Sequence, residues 1–153
     1  MLLFAYGSNL ALDGGFVGPA VLPDHRLELN RRSIRWGGGV VDVVPALGER
    51  VWGALYEVDE PLMAALDRKE GAGLAYRRVR VEVERGGERL AAQTYEVIDK
   101  ERDAPPATPD YAALVLAGAR ERGLPAEWLA VLDSVLRGWD RCAAGRAGRF
   151  RNG

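Results

Sequence analysis

The chain has 153 residues, the size of one domain around one core, and a formal net charge of −1 that gives no bulk attraction to nucleic acid or an anionic membrane. One cysteine, Cys142, and one histidine, His25, are too few for an internal disulfide or the usual Cys/His metal site, and the hydrophobic and charged shares of 48% and 28% are ordinary for a soluble globular protein. No apolar run approaches the ~20 residues of a membrane span, and the opening MLLFA is too short and lacks the basic start of a secretory signal. These features predict a cytoplasmic protein with no metal, nucleic-acid or membrane partner.

In chain order, Met1 to Ala5 reads as a short buried strand, and Tyr6 to Gly15 as a loop punctuated by Gly7, Ser8, Asn9 and Gly14-Gly15. Arg26 to Asn30 alternates as a strand does, and WGGGVVDVVPA, from Trp36 to Ala46, places three glycines before an apolar stretch that turns at Pro45 and Gly48. Val51 to Val58 is rich in strand formers. Asp59 then caps a short helix through Leu62, Met63 and Leu66 that ends near Gly71. Tyr76 to Glu84 alternates Val79, Val81 and Val83 with charged residues, and RGGE turns it into a partner strand from Arg89 to Ile98.

The proline-rich DAPPATPDY leads into a helix that Thr108-Pro109 can cap and start and Gly123 ends. A last helix begins at Pro125, with Trp128, Leu129, Leu132, Val135, Leu136 and Trp139 at helical spacing. Strands first and helices last argue an α+β fold: a small antiparallel or mixed sheet closing into a barrel, with helices on one side. The domain runs over residues 1–140, and residues 141–153 form a basic, Gly-rich tail.

Three places offer chemistry. The stretch Tyr6-Gly7-Ser8-Asn9 is either a plain turn or a nest of inward-facing N–H groups for an anion or carbonyl oxygen. Glu70, in LDRKEG, sits at a helix end where the macrodipole, with any burial, raises a carboxylate pKa as a general acid/base requires; the alternative is an exposed helix-end glutamate. Tyr111, in the first turn of a helix, either donates to a ligand or packs on the sheet. Cys142 and His25 read as a helix-end thiol and a surface histidine, and WGGGV fits neither phosphate-loop glycine pattern.

Taken together, YGSNL, WGGGV, VWGALYEVD, LDRKEG, PPATPDY and GARERGLPAEWL, in that order from Leu2 to Leu132, resemble the γ-glutamylcyclotransferase family. The resemblance implies an enzyme that closes the γ-glutamyl group of a γ-glutamyl amide to 5-oxoproline and frees the attached amino acid or amine, with no cofactor and no metal. It places the catalytic carboxylate at Glu70, the oxyanion and carboxylate cradle at Tyr6, Gly7, Ser8, Asn9 and Leu10, and a substrate-contacting phenol at Tyr111. A homodimer is compatible with it. The alternatives are a relative acting on another γ-glutamyl conjugate, such as an isopeptide amine or a γ-glutamylated metabolite, and a small-molecule-binding domain on the same fold.

Overall fold

The computed structural model describes residues 1–71, 73 and 75–138. Its elements run β1 (Leu2–Ala5), β2 (Phe16–Arg32), β3 (Gly39–Glu57), α1 (Glu60–Glu70), β4 (Tyr76–Arg85), β5 (Glu88–Val97), α2 (Pro109–Glu121) and α3 (Ala126–Leu136). The strands close into a barrel in the order β1-β3-β2-β4-β5. Neighbours are antiparallel except where β1 meets β5 in parallel, Leu3 opposite Gln93, so the sheet is mixed. The expected α+β barrel flanked by helices is the fold observed.

Two strands are longer than local patterning predicts. The Arg26 to Asn30 strand is the middle of β2, and the turn expected at Pro45 and Gly48 lies inside β3. There the register jumps: Pro23 pairs with Arg50 but His25 with Pro45, so Ala46 to Glu49 bulge opposite Asp24 alone. Asp24 adopts φ 55° and its Oδ1 accepts the Gly48 N–H at 2.9 Å, which holds the bulge without breaking the strand. Turn-forming residues mark a corner here, and the two long strands on either side override it.

The barrel and the helices share one core, led by Phe4, Leu22, Leu29, Leu55, Tyr56, Met63 and Leu132. Within the last helix Trp128, Leu132, Val135 and Leu136 are buried and Leu129 partly so; Trp139, Cys142 and the tail lie outside the described residues. Thr108 does precede α2, but its hydroxyl makes no capping hydrogen bond and is buried with no partner among the described residues. The connector before α2 crosses directly over the start of β3. A Cβ on Gly39 would stand 2.0 Å from the Pro105 carbonyl oxygen, and the Gly39 N–H donates to the Pro106 carbonyl at 3.1 Å. The glycines of WGGGV therefore admit a passing backbone, which delivers Tyr111 to the barrel.

Candidate active site

The first strand ends beside a cavity of about 40 Å³ lined by Tyr6, Gly7, Ser8, Asn9, Glu70 and Tyr111, among others. The structure thus brings together six of the seven residues picked from the sequence. Leu10 is the exception. It is fully buried, and its N–H is spent on the Gly7 carbonyl at 3.1 Å, closing the turn instead of facing the cavity. The N–H groups of Gly7, Ser8 and Asn9 have no partner among the described residues, so this turn has the donors a nest requires. Gly7 is held against β3: a Cβ there would fall 2.8 Å from Val41 Cγ2 and 3.5 Å from the Tyr111 oxygen.

Glu70 reaches this turn from the opposite wall. Asp59 caps α1 by accepting the Leu62 N–H at 2.9 Å, Met63 and Leu66 bury its inner face, and Gly71 ends it in the left-handed region. The last helical residue, Glu70, then turns its carboxylate to Asn9, whose Nδ2 donates to Oε1 at 3.0 Å; Asn9 Oδ1 in turn accepts from Lys69 Nζ at 2.6 Å. Burial pushes the Glu70 pKa up, while the Lys69 charge, the Asn9 hydrogen bond and the Arg35 charge pull it back only in part. The dominant cause is loss of water, and the exposed-glutamate alternative does not describe this side chain. The Lys69 ammonium is pushed down, chiefly by burial.

Asp67, one turn earlier, has a different environment. Arg78 pairs with it and the Tyr95 hydroxyl donates to Oδ1 at 2.6 Å, and the Arg78 hydrogen bond, above all, holds its pKa low. It fixes α1 to the β4–β5 hairpin and stays ionised.

Tyr111, in the first turn of α2, is 3% exposed. Its hydroxyl oxygen accepts the Val41 N–H at 3.1 Å, so the phenolic proton remains available to donate. Burial raises its pKa, as it does for Tyr6 and Tyr76, so all three are neutral phenols at any working pH. Tyr6 is already committed, donating to the Tyr95 carbonyl at 2.5 Å.

Several residues of the site gave no signal in the sequence. Tyr76 and Thr94 line the cavity from β4 and β5. Tyr56 and Arg122 hold the loop from behind: the Tyr56 hydroxyl donates to the Leu10 carbonyl at 2.6 Å and accepts from the Leu12 N–H at 3.1 Å and Arg122 Nε at 2.9 Å. The Tyr56 motif VWGALYEVD was visible, but nothing local shows that its phenol would meet Leu10 and Arg122.

Residues 50–132 match the AIG2-like family. The chain is 30% identical over 149 residues to the γ-glutamylcyclotransferases of Bos taurus and Homo sapiens, spanning 88% of this chain and 78% of each relative. A solved structure of a γ-glutamyl cyclotransferase superposes with a TM-score of 0.81 at 28% identity, covering 88% of this chain and 87% of the other. None of the described helices is long and apolar enough to cross a membrane. On a match across more than half of its length and relatives aligned across most of it, the chain belongs to the AIG2-like family of γ-glutamylcyclotransferases and is an enzyme of the cyclotransferase type.

Proposed function

We propose that the protein acts on γ-glutamyl amides, forming 5-oxoproline and releasing the attached amino acid or amine, with Glu70 as general acid/base. One observation carries this reading: a partly buried carboxylate with a raised pKa, a turn with unspent N–H groups and a neutral phenol line one small cavity.

The substrate brings its own nucleophile. Its α-nitrogen attacks the γ-carbonyl carbon, a C–N bond closes the five-membered ring, and the carbonyl electron pair moves to oxygen. When that pair returns, the bond to the leaving nitrogen breaks. The α-ammonium must lose two protons to become the lactam N–H, and the leaving nitrogen gains two to depart as an ammonium. The reaction therefore needs no external proton, only a shuttle between the two nitrogens. Glu70 takes each proton as a carboxylate and returns it as an acid, a double duty that a pKa raised toward neutrality suits. The N–H groups of Gly7, Ser8 and Asn9 and the Tyr111 phenol are suited to the developing oxyanion and the α-carboxylate. Holding the γ-glutamyl chain bent lowers the barrier further, because ring closure is intramolecular.

The test is 5-oxoproline formation from γ-glutamyl-L-alanine. Glu70→Gln keeps the shape and removes proton transfer, and should lower kcat by about 10²–10⁴-fold. Unchanged turnover in that variant refutes the role of Glu70. No 5-oxoproline from any γ-glutamyl amide would favour a binding domain on this fold.

A further inference from the structure

Beside the inner cavity lies a wider vestibule of about 450 Å³, and the two share Ser8, Glu70, Tyr76 and Tyr111. Four cations line it, Arg31, Arg35, Arg68 and Lys69, against one carboxylate, Glu70. A chain of net charge −1 has no general excess of positive charge, so this concentration is local. None of the four forms an ion pair among the described residues. Two are held by aromatic faces instead: the Arg35 guanidinium lies 5.5 Å from the centre of the Trp36 ring and that of Arg31 lies 6.0 Å from that of Tyr76. Trp36 in turn sets its edge against Tyr111 at 5.4 Å. Stacking orients a guanidinium and leaves its N–H fork free for a carboxylate.

The vestibule's contents follow from the proposed reaction, on which this step rests. Glu70 must reach both nitrogens, so the part of the substrate beyond the scissile amide extends from Glu70 into the space it borders outside the inner cavity. We propose that the vestibule is an anion-reading subsite for the leaving amine. The enzyme then prefers γ-glutamyl conjugates of acidic amino acids to those of neutral amino acids, and both to those of simple amines, with Arg35 and Arg31 as the residues that set the order. Arg31 also borders a neighbouring depression holding Asp99 and Glu101, which dilutes its charge, so Arg35 has the larger effect.

A matched series tests this: γ-glutamyl-aspartate, γ-glutamyl-alanine and γ-glutamyl-ethylamide, the last being the alanine conjugate without its carboxylate. We expect kcat/KM to fall in that order and the spread to shrink as ionic strength rises. Arg35→Gln should narrow the aspartate-to-ethylamide ratio about two- to fivefold, and Arg31→Gln by less, as for partly exposed charge pairs. Equal kcat/KM across the series overturns the subsite while leaving the cyclotransferase reading intact. So does an equal loss on all three conjugates in the arginine variants, because the arginines would then be reading the α-carboxylate that the three share. Calorimetric binding of the same conjugates to the Glu70→Gln protein separates the two claims. If the unsubstituted enzyme forms no 5-oxoproline from any conjugate but affinity keeps the order and its dependence on Arg35, the subsite stands and the proposed reaction falls; affinities without order refute the subsite.

Discussion

Replacing Tyr111 with phenylalanine isolates one oxygen atom. The ring stays 3% exposed at its place in α2 and keeps its contact with Trp36, but the Val41 N–H loses its acceptor. That N–H has no ready substitute. The β2–β3 register shifts between Leu29 and Arg31, opposite Val41 and Val40, and a ladder interrupted there leaves the Val41 donor to the phenol. An orphaned buried N–H costs about 1–3 kcal/mol. For a chain of this length each kcal/mol lowers the melting midpoint by about 2–4 °C, so calorimetry should show a fall of about 2–12 °C. The same variant loses the phenolic proton assigned to the substrate, worth up to about tenfold in kcat/KM for a neutral hydrogen bond. A melting midpoint unchanged within experimental error would refute the claim that the phenol satisfies Val41. A lowered midpoint with unchanged kcat/KM would confine Tyr111 to holding β3.

Four further outcomes are expected. Activity should fall on the acid side as Glu70 becomes protonated, at a pH above the usual carboxylate range, and Lys69→Gln should move that limb higher by removing a charge that lowers the Glu70 pKa; a pH profile of kcat/KM in which it stays or moves lower contradicts this. Because the folded-state pKa of Glu70 is raised, its contribution to stability is present at low pH and lost as pH rises through that value. Glu70→Gln should therefore be more stable than the parent at neutral pH, with the gap closing on acidification in pH-dependent denaturation. Gly39→Ala drives a Cβ to 2.0 Å from a backbone carbonyl and should destabilise by about 1–3 kcal/mol in urea titration, with a shift of the connector that carries Tyr111. Lys100→Met takes from the fully buried Asp42 carboxylate the ammonium now 2.7 Å away and leaves it the Asn30 and Val97 donors, and should lower stability by about 1–3 kcal/mol, again by urea titration.

What could be read from the sequence was whatever its causes kept local. The cap at Asp59, the stop at Gly71, the alternation of Val79, Val81 and Val83 and the RGGE turn each depend on a few neighbouring residues, and each stands where it was expected. The length of β2 and β3 depends on their pairing with each other, which is why Arg26 to Asn30 looked like a whole strand and Pro45 and Gly48 like its end. The loop was legible as a motif but not as a structure. Its anchors are Tyr56 and Arg122, and Arg122 reaches the Leu12 carbonyl across 110 residues of sequence. Leu10 belongs to the same motif and serves that anchoring, through its carbonyl and its buried side chain.

Asp67 and Glu70 show most directly why the site had to be seen folded. They are carboxylates one helical turn apart, and the sequence gives each much the same surroundings of Arg68, Lys69 and a glycine stop. In the fold their pKa values move in opposite directions. Arg78 and Tyr95, brought by the β4–β5 hairpin, hold the Asp67 proton off. Glu70 faces Asn9 and loses water faster than Lys69, Asn9 and Arg35 can compensate. The helix end contributes position rather than chemistry. It delivers Glu70 to the loop, and the pair at Asp67 keeps the helix from rotating that carboxylate away. An ionised anchor and a neighbour of raised pKa, the one proposed here to exchange protons, stand on one short helix as a division of labour set by environment, since both are carboxylates.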